Sequence, residues 1–180
     1  MPIDEDLKLY EKLIDEKAST NSVDILPNAG KYHAAIAMSK LFDKTKDRVK
    51  MVVGSFDGEI SDQGIYLKSL RDCLDRNVKF QILFLNTANK DSQAYSLLSQ
   101  KKEDGGDITV GTARPDFINQ LSKDGSPKHF AVYDDKMFRF EKDTKNYLAL
   151  FSFNDKTIAQ ILSDIFDAEF QKLAPASAVI

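Results

Sequence analysis

His129, Arg139 and Glu141 are the residues whose types and spacing are best suited to chemistry, and all three fall in one short stretch, Ser126 to Glu141. A histidine can act as a nucleophile or carry a proton near neutral pH. The planar fork of an arginine matches the oxygens of a phosphate. The stretch reads as two strands joined by the tight turn Asp134-Asp135-Lys136, with β-favouring bulk from Phe130, Val132, Met137, Phe138 and Phe140. Alternation across the pleat puts His129, Ala131 and Tyr133 on one face of the first strand, and Arg139 with Glu141 on one face of the second. Two readings of Arg139 stand side by side: a ligand contact shared with Glu141, or a structural ion pair with it.

These residues need elements to hold them, and the apolar spacing supplies a series. Leu7, Tyr10, Leu13 and Ile14 mark a first helix from Asp4 to about Lys17, and Val23 to Leu26 is a short extended piece before the turn Pro27-Asn28-Ala29-Gly30. A second helix, Lys31 to Asp43, carries His33 in its first turn. Val49 to Gly54 is a strand, Asp62 to Asp75 a helix, and Val78 to Leu85 the clearest strand of the chain. Strand, helix, strand predicts a parallel pair. Ligands gather beyond the carboxyl ends of such strands, which makes Ser55 and Asn86 candidate site neighbours. A helix over 89–102, a short strand over 107–111 and a helix over 115–123 lead into the hairpin. A third strand, Asn146 to Phe153, and a helix capped at Asn154-Asp155 and running to about Leu173 follow it. The expected fold class is α/β: a mixed, mostly parallel sheet with helices on both faces. A single domain is expected over residues 1–173, with a flexible C-terminal tail over 174–180.

The bulk numbers narrow the function classes. The chain has 180 residues, 42% of them apolar and 29% charged, which suits one soluble globular domain. A net charge of −3 argues against wholesale charge-driven binding to nucleic acid or anionic lipid. No apolar run reaches membrane-spanning length, and an acidic start is the wrong charge for a secretory signal. A lone cysteine, Cys73, suits a reducing compartment. The expected location is therefore cytoplasmic, with no membrane partner. With two histidines, His33 and His129, and one cysteine, no usual zinc site can be assembled, so no metal and no cofactor are expected.

Across roughly residues 30 to 172 the order of elements resembles one lobe of the phospholipase D superfamily. The residues that carry the likeness are the Ala-rich helix with Ala34, Ala35 and Ala37, the strand Asn77-Val78-Lys79-Phe80-Gln81-Ile82-Leu83, and the hairpin with its following strand. Members of that superfamily carry the signature His-x-Lys-x-x-x-x-Asp and, further on, a Gly-Ser-x-Asn strand. With Asp134 as the signature aspartate, the lysine slot falls on His129 and the histidine slot on Pro127. With His129 as the histidine, the lysine becomes Ala131 and the aspartate becomes Lys136. Phe151-Ser152-Phe153-Asn154 is similar to the later strand, with Phe151 in place of glycine, although the extra strand Lys136 to Lys142 displaces it along the chain.

The resemblance implies a phospholipase D-like domain with a degenerate active site. Such a domain would bind an anionic or phosphodiester ligand (nucleic acid included) or a partner protein, without efficient catalysis. It implies Ser152 and Asn154 as phosphate contacts beside Arg139. The alternative is a divergent phosphodiesterase or nuclease acting through His129 as nucleophile in a homodimer, since single-lobe members pair so that two signatures meet. A third reading sets the resemblance aside and makes the chain an unrelated α/β sensor or regulatory domain. The phospholipase D-like arrangement implies His129 and Asn154 near one another at the sheet edge, and side chains pointing to opposite faces would favour the third reading.

Overall fold

The computed structural model describes residues 3–173, so the expected tail at 174–180 lies outside the described residues. In chain order the elements are α1 (Ile3–Ser19), β1 (Leu26–Asn28), α2 (Lys31–Lys44), β2 (Arg48–Val53), α3 (Gly64–Asp75), β3 (Lys79–Phe84), α4 (Gln93–Glu103), β4 (Ile108–Thr112), α5 (Pro115–Leu121), β5 (His129–Tyr133), β6 (Met137–Asp143), β7 (Leu148–Ser152) and α6 (Lys156–Phe170). The seven strands form one sheet in the order β1-β7-β6-β5-β2-β3-β4.

The sheet is mixed and carries helices on both faces, as the sequence implies, but it is not mostly parallel. Only β2–β3 and β3–β4 pair in parallel, while β2–β5, β5–β6, β6–β7 and β1–β7 are antiparallel. The reason lies in the connections. Helical crossovers join β2, β3 and β4, whereas short turns join β5, β6 and β7, and a tight turn can only reverse a strand. β1 is the element that sequence spacing renders least well, because Pro27 makes it look like a turn. Proline is tolerated there since β1 is an edge strand, pairing with β7 on one side only.

Two apolar layers hold the sheet. One packs α1 to α4 against the face of Met51, Phe80, Ala131, Tyr133 and Phe151. The other packs α5 and α6 against Val52, Leu83, Phe130, Val132 and Phe138. Lys50, buried on the second side, donates to Ser163 Oγ and Asp167 Oδ2, both at 2.7 Å, and so fastens α6 to β2. Cys73 is fully buried, and desolvation pushes its thiol up to about 12, so it packs as an apolar residue and is not reactive.

Candidate functional site

The β5–β6 register decides the site. His129 stands directly opposite Glu141, and Ala131 opposite Arg139, so the three polar side chains project from the same face of the sheet. Ala131 and Tyr133 on that face belong to the α1–α4 core, but His129 and Glu141 lie at the end of the sheet where the helices give way to loops. His129 Nδ1 is 3.0 Å from Glu141 Oε2, and Arg139 Nη2 donates to Glu141 Oε1 at 3.0 Å. Arg139 Nε donates to Asn28 Oδ1 at 3.1 Å, and Asn28 Nδ2 donates to the carbonyl of Tyr147 at 2.8 Å. The result is one continuous polar chain, Tyr147–Asn28–Arg139–Glu141–His129, across three strands and a loop.

Burial sets its character. The side chains of Arg139 and Glu141 are 5% and 4% exposed, whereas that of His129 is 27% exposed. Two opposite charges this deep are tolerated because each satisfies the other and because Asn28 and His129 add a further hydrogen bond to each. Burial by itself would raise the Glu141 carboxyl. The hydrogen bond with His129 and the charge of Arg139 outweigh that and hold it below the usual carboxylate range. A carboxylate accepts only, so the imidazole donates Nδ1–H to it, and the neutral ring then carries its lone pair on Nε2.

That second nitrogen faces the carboxyl ends of β2 and β3. A Cβ at Gly54 would lie 3.3 Å from His129 Cε1, 3.4 Å from Nε2 and 3.7 Å from Asn86 Nδ2, so glycine makes room for both side chains. The loops after β2 and β3 continue the parallel ladder: Leu85 N–H donates to the Val53 carbonyl, Asn86 N–H to that of Gly54, and Asn89 N–H to that of Ser55. Phe56 follows in a left-handed conformation, φ 59°, and turns its ring inward against Phe84. A bulky residue seldom adopts that backbone, and here the packing of the ring holds it.

Together these loops and the hairpin enclose a cavity of about 330 Å³, a size suited to a small ligand. Of the sequence candidates, His129, Arg139, Glu141, Ser55 and Asn86 all line it. Ser152 and Asn154 do not line it. Ser152 stands opposite Phe138, on the α5–α6 side of the sheet and so on the reverse face from His129. Its hydroxyl accepts the Asn154 N–H at 3.3 Å. The registers explain the displacement: β6 lies between β5 and β7, and Ser152 is level through Phe138 with Val132, toward the far end of β5 from His129. The expected approach of His129 to Asn154 is thus not met. Asp134 is also structural. It and Asp135 both have positive φ, 51° and 57°, in the three-residue turn between Tyr133 and Met137. The Asp134 carboxylate accepts the backbone N–H groups of Lys46, Asp47 and Arg48 at 2.7, 2.8 and 3.0 Å. His33 stacks on Tyr10 with centroids 3.9 Å apart, and its Nε2 lies 3.3 Å from Asp6 Oδ2, away from the cavity. No group of three or more metal-ligating side chains occurs among the described residues.

No protein-family model matches the chain, and no curated protein matches it. Solved structures do. Nuc, a phospholipase D family member from Salmonella typhimurium, is similar with a TM-score of 0.56 at 14% identity, over 83% of this chain and 96% of that one. The fold is phospholipase D-like. TrmBL2, an archaeal chromatin protein whose structure shows a novel mode of DNA binding, is similar with a TM-score of 0.57 at 13% identity, over 94% of this chain. A polyphosphate kinase from Porphyromonas gingivalis is similar with a TM-score of 0.52 at 11% identity, over 91% of this chain. The chain spans 62% of the length of TrmBL2 and 28% of that of the kinase. Within this phospholipase D-like fold, Asn28 and Tyr147 are the site residues that sequence reasoning missed. Both were placed by elements, an edge strand and a loop, whose partners lie more than a hundred residues away along the chain.

Proposed function

We propose that the domain uses its cavity to bind a small anionic ligand, of the phosphodiester class, and does not turn it over efficiently. The observation that carries this reading is the number of histidines in the cavity. Among the cavity's lining residues His129 is the sole histidine. Displacement at a phosphodiester by the route the resemblance implies needs one histidine to attack phosphorus and a second to protonate the leaving group. His33, held against Tyr10 and Asp6, does not supply the second. The charge that should hold the developing oxyanions is also short: Arg139 is already paired with Glu141 inside the sheet. What is left is a preorganised polar wall. Arg139 has hydrogen-bond partners among the described residues only at Nε and Nη2, and His129 Nε2 and the Asn86 amide converge on the space beside Gly54. TrmBL2 binds DNA and the kinase is named for polyphosphate, so the fold occurs elsewhere with phosphate-bearing partners. A nucleic-acid segment or a partner protein carrying such a group belongs to the same reading.

One observation favours a second reading, divergent phosphodiesterase or nuclease activity in a homodimer. The His129–Glu141 pair fixes one tautomer and leaves Nε2 as a nucleophile aimed into the cavity, and a second copy could bring the acid. An activated diester, bis(4-nitrophenyl) phosphate, separates the two. At high protein concentration the binding reading expects no nitrophenolate above buffer. Release that disappears in His129→Ala establishes the second reading instead.

A further inference from the structure

Beside its polar chain the cavity has an apolar lining, and that lining narrows the ligand. From the geometry we infer that the cavity takes a compact amphipathic monoanion, a phosphodiester with an aromatic substituent, and discriminates against both bare phosphate and dianionic monoesters. This rests on the anion-binding reading above and adds the ligand's body and charge to it.

Two independent features carry the inference. First, the lining residues that bear formal charge are Asp57, Arg139, Glu141 and Lys145, two acids and two bases, which cancel. With no net excess of positive charge in the lining, nothing offsets a second negative charge on the ligand. A second negative charge on the ligand would meet Asp57 and Glu141 in a partly desolvated space, where like charges repel more strongly than in water. Second, the rest of the surface is largely apolar and aromatic: Met38 from α2, Phe56 and Ile60 from the loop after β2, Tyr66 from α3, and Tyr147 from the loop before β7. Tyr66 is 1% exposed, and desolvation raises its hydroxyl well above the ordinary value, so it backs this lining without adding charge. Tyr147 adopts a left-handed backbone, φ 54°, and its carbonyl is fixed by Asn28, so the residue is held at the mouth by the same chain that holds Arg139. Head and body of the ligand are therefore positioned by one connected structure. A bare phosphate would leave this wall to water, whereas an aryl group would bury apolar area against it and stack on an aromatic face.

Calorimetric titration of the intact chain with three probes tests this: diphenyl phosphate (aromatic monoanion), dimethyl phosphate (monoanion without a body), and phenyl phosphate, a dianion at about pH 8 because its second pKa is near 6. Diphenyl phosphate should bind about tenfold or more tightly than either of the others. Ile60→Ala and Ile60→Asn should each weaken diphenyl phosphate several-fold and leave dimethyl phosphate unchanged. Equal affinity for diphenyl and dimethyl phosphate overturns the inference and leaves the anion reading standing. Tighter binding of phenyl phosphate overturns it in the same way, as does a diphenyl phosphate affinity indifferent to both substitutions. If none of the three binds, this inference and the anion reading fall together.

Discussion

Glu141 is the residue on which the site depends, because it holds two partners at once. One carboxylate oxygen receives Arg139 and the other orients His129. Replacing it with Gln leaves a buried guanidinium without its counter-charge, the situation in which breaking a buried pair costs about 3 kcal/mol. The sign of the pH effect follows from the depressed carboxyl. A group whose folded pKa lies below its unfolded value of about 4.3 stabilises the protein above that value, and the contribution is lost as pH falls through the folded pKa. Urea unfolding of the wild type and Glu141→Gln should therefore differ most near neutrality and converge in acid. A gap that stays constant below about pH 4 would mean that Glu141 is not held as a carboxylate by these partners. Much of this cluster was legible in the sequence, since strand alternation alone groups His129 with Ala131 and Tyr133, and Arg139 with Glu141. That Glu141 serves both could not be read. It depends on the register between the two strands, which the turn sets, and on Asn28 approaching from the far edge.

At the scale of elements, the β5–β6 hairpin and the two loops after β2 and β3 place the site, and Asp134, at the other end of the sheet, ties the hairpin to β2. Its side chain binds three successive backbone N–H groups in the segment leading into β2, so the hairpin turn and the start of the parallel pair are joined by one carboxylate. Asp134→Ala removes those acceptors and puts a residue that resists positive φ into the turn, for an expected loss of about 2 kcal/mol. Asp134→Asn keeps the turn preference and one acceptor, and should lose less than half of that. If the two variants unfold at the same denaturant midpoint, the carboxylate's bonds to the chain do not matter to stability. The helices and the longer strands lie close to where their apolar spacing puts them, α3 at Gly64–Asp75 and β3 at Lys79–Phe84 among them. β1 was hidden because a three-residue strand containing Pro27 has no periodicity to read. The balance of parallel and antiparallel pairs was hidden for another reason: spacing along a chain fixes each strand, but not which strand lies beside it.

At the scale of the molecule, the fold is phospholipase D-like at low identity. β6 separates β7 from β5, and the β6–β7 register puts Ser152 on the opposite face from His129. The aspartate in the hairpin turn braces the sheet, and His129 is the one histidine among the residues lining the cavity. No helix of the described residues is long and apolar enough to cross a membrane. The central claim is that this cavity engages a phosphodiester and leaves its bonds intact. Phosphorus NMR of bis(4-nitrophenyl) phosphate with stoichiometric protein examines both halves of that claim in one spectrum. The diester line should broaden or shift as the protein is added, and no monoester line should grow. An unperturbed line, or a monoester signal that appears with the wild type and not with His129→Ala, would contradict it.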